Sequence, residues 1–298
     1  MTNPRSLHGD LPAAVTSAEN GQRWRDRSGR NNVLLLESPT AKTVLKWKPD
    51  SPTPEEVWER AAPGQSASMV LQSAPDPDAI MHATGRCVGA VHLAPASGLP
   101  LAPRPGPFRE NWPSIADLPD MSWGQRRLIE IIQTEPLLIE GIDRCLSEWR
   151  SVVPIHGDLR AANVLVHSVG AEYHVEFIDW ETAGRGEPAW DLGSVMGECV
   201  GVWVRSQFGP GVATPHGPQP GEVCPALWQG YAETLGGYED GLAVRSAGFA
   251  ALRLIQRSLE TTASVSTASH EVLIYLQIAQ NIFADLALAA RELFGLAI

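Results

Sequence analysis

Asp158 and Asn163 stand five positions apart in the run His156-Gly157-Asp158-Leu159-Arg160-Ala161-Ala162-Asn163, directly ahead of the apolar triplet Val164-Leu165-Val166. A loop of that length entering a strand can bring both side chains to one point. A carboxylate there can orient or deprotonate an attacking hydroxyl, and an amide oxygen can ligate the Mg²⁺ that neutralises charge on a transferring phosphoryl group. Asp158 suits the first task and Asn163 the second. A further carboxylate, Asp179, closes a second apolar run, Val175-Glu176-Phe177-Ile178, where a hairpin can hold it against the same metal as its main protein ligand. A lone Asp or Asn in a loop is ordinarily a turn or cap residue. Base, amide ligand, hairpin and carboxylate ligand in that order form the sequence of a phosphoryl-transfer site.

The elements that must position these residues are legible in outline. The two apolar runs at 164–166 and 175–178 read as a short hairpin joined through Gly170. Residues 33–48 read as another hairpin, turning at Ser38-Pro39-Thr40, with Val44, Lys46 and Lys48 on one face of its second strand. Thr53, Pro54, Glu55 and Glu56 give 52–62 the start of a helix, with the acids near the positive end of the dipole. The spacing of Ile80, Met81, Cys87, Val88 and Val91 predicts a helix over 78–93 that stops at Pro95. Seven prolines lie within 95–119, so that stretch is irregular, as a linker or a substrate-facing loop. Helical spacing returns at 123–149 and dominates from 223 onward, with 271–294 strongly apolar. Met69-Val70-Leu71-Gln72 is the candidate for one further strand.

Composition bounds the function. A chain of 298 residues, 44% hydrophobic and 19% charged, has the make-up of an ordinary globular protein with room for one large domain or two smaller ones. No apolar run is long enough to span a bilayer, and the first twenty residues lack a basic start followed by an apolar stretch. The expectation is a cytoplasmic protein with no membrane association. Cys87, Cys145, Cys199 and Cys224 form no close pair in sequence, which argues against a metal knuckle or a disulfide framework. A formal charge of −11 repels the phosphate backbone, so no nucleic-acid partner is expected. The same charge would attract a cationic small molecule or a basic peptide segment.

The segment resembles the aminoglycoside phosphotransferase-like family, whose pattern joins HGDxxxxN to a later IDWE and a GDPxxDL-type segment. Here these read 156–163, Ile178-Asp179-Trp180-Glu181 and Gly186-Glu187-Pro188-Ala189-Trp190-Asp191-Leu192. The resemblance covers most of the chain. It implies an α+β, protein-kinase-like fold of two lobes, a shortened N-terminal sheet lobe over 1–76 and a large helical lobe over 77–298. It implies Mg²⁺ and ATP as cofactors, Asp158 as catalytic base, Asn163 and Asp179 as metal ligands, and Asp191 as a buttress of the catalytic loop. His156 then holds the loop by hydrogen bonds rather than moving protons. A kinase-type site also needs a strand lysine on the nucleotide phosphates, paired with a helix glutamate. Lys46 and Glu59 are the candidates, with Lys48, Glu55 and Glu56 as competitors. Asn31, in Ser28-Gly29-Arg30-Asn31-Asn32, sits where a phosphate-covering loop would lie. Only about thirty residues separate Glu59 from the helix ending near His92, too few for the rest of a kinase sheet and its hinge.

The run FIDWETAGRGEPAWDLGSV at 177–195, with Arg30-Asn31-Asn32 and Val44-Leu45-Lys46 upstream, is most similar to the branch that acts on ribosomal peptide natural products of lanthipeptide or thioamitide type. That resemblance implies phosphorylation of Ser or Thr in a precursor peptide, followed by elimination on a separate lyase that forms a complex with the kinase. Two other readings stay open. One is a small-molecule kinase of the aminoglycoside type, with acidic residues holding the acceptor's ammonium groups. The other is a degenerate kinase kept as a binding scaffold.

Overall fold

The structure, a computed structural model, describes strands within the first 75 residues and then residues 76–298 apart from 111, 115, 170–171, 209–216 and 264–268. Packing divides the chain into a unit of residues 1–64 and a unit of residues 65–298.

In the first unit, strands β1 (Arg23–Asp26), β2 (Asn32–Glu37) and β3 (Lys42–Trp47) form an antiparallel sheet in that order. β2 and β3 are the hairpin expected at 33–48, in a register that sets Val33 opposite Lys46. The sequence gives no signal for β1, whose Arg-Trp-Arg-Asp is recruited by pairing Arg23 with Glu37 and Asp26 with Leu34. Asn31, the turn at 38–40, Lys48, the helix at 52–62 with Glu55, Glu56 and Glu59, and the strand at 69–72 lie outside the described residues.

The second unit begins with the short strand β4 (Gln65–Ser66), which pairs with β6 (Val164–Val169); β6 pairs in turn with β7 (Glu172–Phe177). This β6–β7 hairpin sets Val164 against Phe177, as the apolar runs required. Helix α1 (Pro77–Leu93) starts where Asp76 accepts the Ala79 N–H at 3.0 Å and Pro77 fixes the first turn. The 123–149 segment is two helices, α2 (Trp123–Thr134) and α3 (Pro136–Glu148), because Pro136 cannot continue a helix and drives Glu135 into extended backbone. The proline-rich stretch docks alongside β8 (Gly184–Gly186), where Ala102 N–H donates to Arg185 O at 3.0 Å and Arg185 N–H to Pro100 O at 2.8 Å.

Helix α4 (Pro188–Phe208) has no counterpart in the helical periodicity of the sequence. Every residue from Pro188 to Val202 is buried, so no polar face alternates with an apolar one and the period of 3.6 is erased. It packs on α6 (Leu242–Thr262), with Trp190 edge-on to Phe249 at 6.3 Å. Helix α5 (Pro220–Leu235) packs on α1 at glycines. A Cβ on Gly85 would meet Leu227 O at 2.0 Å and one on Gly230 would meet His82 O at 2.1 Å, so two backbones touch where no side chain fits. The apolar run at 271–294 is broken at Asp285, between α7 (His270–Ala284) and a C-terminal helical segment that widens into a π-turn, where the carboxylate caps Leu288 N–H at 2.9 Å.

Among the described residues no single helix is long and apolar enough to cross a membrane. The bent pair His270–Ala284 and Leu286–Leu293 meets length and composition only jointly, across a 108° break, and Val272, Tyr275, Leu276, Ala279 and Ile282 bury its apolar face in the core. All four cysteines are free thiols; Cys145, Cys199 and Cys224 are buried.

Candidate active site

Strand β5 (Val153–Ile155) pairs antiparallel with β8, Ile155 opposite Gly184, and delivers the chain to His156. From there the backbone is held on every polar atom of two successive residues. His156 N–H donates to Asp191 Oδ2 at 2.8 Å and Gly157 N–H to Asp191 Oδ1 at 3.0 Å. His156 O accepts from Thr182 Oγ1 at 3.0 Å, and Gly157 O from the Trp190 indole at 2.8 Å. Buried backbone groups need partners, and here one carboxylate supplies two. Gly157 has φ +83°, a left-handed conformation, and a Cβ would meet Thr182 O at 2.6 Å, which explains the glycine of the motif.

Asp191 belongs to the first turn of α4, where the positive end of the helix dipole favours a carboxylate. It is fully buried and has a third neighbour, His92 Nε2 at 3.4 Å, whose Nδ1 lies 3.0 Å from the Tyr231 hydroxyl. Burial first, then the charges of Asp191 and Glu187, push the Tyr231 phenol above its usual value. The carboxylate that clamps the loop is thus itself fixed from α1 and α5.

His156 is buried and both ring nitrogens are engaged. The Ile178 carbonyl can only accept and the Asp158 N–H can only donate, which makes Nε2 the protonated nitrogen at 2.9 Å from Ile178 O and Nδ1 the acceptor at 3.3 Å. The ring lies 4.5 Å from Trp180 and ties the catalytic loop to the end of β7. No nitrogen is left to take a substrate proton.

Asn163 brings the two halves together. Its Nδ2 donates to Asp158 O at 2.9 Å and to Asp158 Oδ2 at 3.0 Å, while its backbone carbonyl accepts Ile178 N–H at 3.0 Å. Asp158 Oδ1 makes no hydrogen bond among the described residues. Burial pushes the Asp158 carboxyl up, against the Arg160 and Arg253 charges that pull it down, and the net shift is upward. Arg160 Nε stands 3.3 Å from Oδ2, off-axis for a hydrogen bond but within ion-pair range.

Asp179 follows at φ +67° and ψ +61°, the one non-glycine with positive φ among the described residues. Asp tolerates this left-handed conformation better than most residues, and strained backbone of this kind gathers at functional sites. No group of three or more His, Cys, Asp or Glu among the described residues is arranged to hold a metal alone. The Ile178 N–H bond to Asn163 O ties the backbone of Asn163 to the residue before Asp179, and their side chains offer an amide oxygen and a carboxylate, the hard-oxygen ligand types that Mg²⁺ takes beside phosphates and water.

β3 carries Lys46 in the first unit. The structure describes no partner for it, Glu59 and Asn31 being outside the described residues.

Sequence reasoning passed over His92, Tyr231 and Glu198. Glu198 is buried in α4, where it accepts the Ala161 N–H of the catalytic loop at 3.3 Å and both oxygens bind Arg257 at 3.0 Å. Arg253 Nε adds a bond at 3.2 Å. Burial alone would raise its carboxyl, but Arg253 and Arg257 outweigh that and hold it below the usual range. The signal was present: one acid inside Gly193-Ser194-Val195-Met196-Gly197-Glu198-Cys199-Val200 must be paired if that run is buried.

Residues 27–234, more than half of the chain, match the phosphotransferase enzyme family. Comparison with curated protein sequences returns no match. Among solved structures, a choline kinase from Cryptosporidium parvum Iowa II is similar at a TM-score of 0.51 and 14% identity, over 92% of this chain and 93% of that one. A choline/ethanolamine kinase family protein from Mesorhizobium loti follows at 0.48 and 14%, over 90% and 92%. A spectinomycin phosphotransferase in complex with ADP and its antibiotic gives 0.44 and 12%, over 89% and 92%. Of these three only the first exceeds 0.5, and at that identity it speaks to a shared kinase-like fold.

Proposed function

We infer the reaction from one premise: this chain belongs to the phosphotransferase enzyme family. It transfers a phosphoryl group to an alcohol. In our reading ATP is the donor and the acceptor is a Ser or Thr hydroxyl of a precursor peptide in ribosomal peptide natural product biosynthesis of lanthipeptide type. The observation that carries the reaction is the Asp158–Asn163 pair, one amide gripping both the backbone and one carboxylate oxygen of the base.

Oδ1 of Asp158 takes the acceptor's hydroxyl proton. The acceptor oxygen forms its bond to the γ-phosphorus as that phosphorus parts from the β,γ-bridging oxygen, which keeps the electron pair and leaves on ADP. Bound Mg²⁺ supplies charge neutralisation on the phosphates, and Asn163 and Asp179 are the residues that would hold it. The rest is positioning. Asp191, Thr182 and Trp190 fix the loop backbone, and His156 ties the loop to Ile178, next to Asp179.

Two features support the peptide over a cationic antibiotic. The run at 177–195 is similar to the peptide-acting branch of the family. Glu198, which accepts the Ala161 N–H of the catalytic loop, and Glu260 are each bound by arginine, so neither is left to hold an ammonium group. A phosphorylated Ser or Thr is then a substrate for elimination: a base removes the α-proton, the Cα–Cβ double bond forms and phosphate departs with the Cβ–O electrons. That base belongs to a partner lyase. Incubation with Mg²⁺-ATP and a precursor peptide encoded nearby, or an aminoglycoside panel, followed by mass spectrometry, tests the reading. Phosphate is expected on the peptide and absent with Asp158→Asn. Phosphate on the antibiotics alone would replace the peptide by the small-molecule reading.

A further inference from the structure

A cavity of about 350 Å³ opens on the outer side of the catalytic loop. Arg160, Arg205, Arg253 and Arg257 line it together with Glu198 and Glu260. In a chain of net charge −11 this gathering of guanidinium groups runs against the overall balance.

The arginines are built into the wall. Arg253 is almost fully buried, its Nε and Nη2 on Glu198 and its Nη1 on Glu260 at 3.0 Å. Arg257 is mostly buried, stacked over Tyr275 at 5.6 Å with Nη1 on Glu198. Arg205 reaches Tyr275 Oη at 3.4 Å and lies 3.8 Å from Glu271, while Arg160 neighbours Asp158. These contacts use only some of the donors. Nε and Nη2 of Arg205 and both Nη atoms of Arg160 make no hydrogen bond among the described residues, while Arg257 divides its donors between Glu198 and Tyr275. A wall with both oxygens of Glu198 occupied and several planar N–H donors open is suited to a group with paired anionic oxygens, which a guanidinium fork binds bidentately.

Its place makes it an acceptor subsite. Arg160 both lines the cavity and stands 3.3 Å from the base, so an anion here lies beside the hydroxyl that Asp158 deprotonates. Arg160, Glu198 and Arg205 lie within the residues that match the family, whereas Arg253, Arg257 and Glu260 come from α6, beyond them, so only part of this wall is set by what the family shares.

We propose that this cavity binds a carboxylate of the acceptor, carried one or two residues from the phosphorylated Ser or Thr. The proposal rests on the peptide-kinase reading above and specifies its substrate as acidic around the target hydroxyl. Two residues of extended chain span about 7 Å, so a neighbouring Asp or Glu can occupy the cavity while the hydroxyl meets Asp158.

The test uses the full chain with Mg²⁺-ATP and three peptides of equal length, each with one Ser flanked by Glu, Ala or Lys, beside glycerate and an aminoglycoside. The Glu peptide should exceed the Ala peptide at least tenfold in kcat/KM, with the Lys peptide lowest. Arg205→Glu should invert the Glu and Lys order, and Arg205→Lys should keep it. Equal rates on all three peptides would overturn the cavity assignment and leave the peptide kinase standing. Phosphorylation of glycerate with none of any peptide would keep the anion site and remove the peptide. Preference for the Lys peptide would remove the anion site and leave the peptide kinase, and phosphorylation of the aminoglycoside alone would remove both. The wild-type panel decides the matter even if the charge reversal fails to fold.

Discussion

Asp158 sits between opposing influences: burial raises its carboxyl, while Arg160 and Arg253 lower it. A base must be ionised to accept a proton, so kcat/KM should rise with pH through this raised pKa. The acid limb of the profile is expected above the ordinary aspartate value of about 3.9, and Arg160→Ala, which removes one of the lowering charges, should move it further up. Asp158→Asn should cut kcat by roughly 10²–10⁴ while the protein melts normally. Asp191 does not meet substrate in our reading. Asp191→Asn would set an amide N–H against one of two backbone donors, so stability should fall by about 2–4 kcal/mol by denaturant titration. Its kcat should drop with little change in KM, the split expected of a residue that positions the loop.

Helix contacts set the next scale. The α1–α5 crossing works because Gly85 and Gly230 let two backbones meet, and Gly230→Ala would drive a methyl into His82 O. A loss of about 1–3 kcal/mol is expected, seen as a fall in Tm of several degrees. Gly248 in α6 offers the opposite sign. Its nearest neighbours to an added Cβ are 3.5 Å away, so Gly248→Ala should be tolerated and stabilise by about 0.5–1 kcal/mol in the same melt. The consequence reaches the site, because α1 and α5 carry His92 and Tyr231 to Asp191. Loosening that crossing should lower activity before it unfolds the protein.

For the whole molecule, the division after Gly64 leaves the loop at 156–163, the β6–β7 hairpin and the arginine wall within residues 65–298. The core of that unit runs from Ile80 to Leu296 and draws on its own helices. A fragment of residues 65–298 should therefore melt cooperatively by circular dichroism.

The β6–β7 hairpin was legible because it is local, two apolar runs closing on each other, whereas the loop at 156–163 takes its geometry from Asp191, Thr182 and Trp190 beyond it. The β2–β3 hairpin and α1 were legible for the same reason, each announcing itself by alternation, spacing or a cap. Helix α4 was not, since burial on all sides removes the periodicity that reveals a helix, and the breaks at Pro136 and Asp285 were masked by long apolar spacing on either side. Least legible were contacts between distant segments. His92 meets Asp191 across 99 positions and Arg257 meets Glu198 across 59. The sequence by itself determined which reaction the loop can perform. Only the tertiary structure decided what surrounds that loop, gathering arginines of α4 and α6 beside the base in a chain whose total charge is negative, because net charge is a sum and a site is a place.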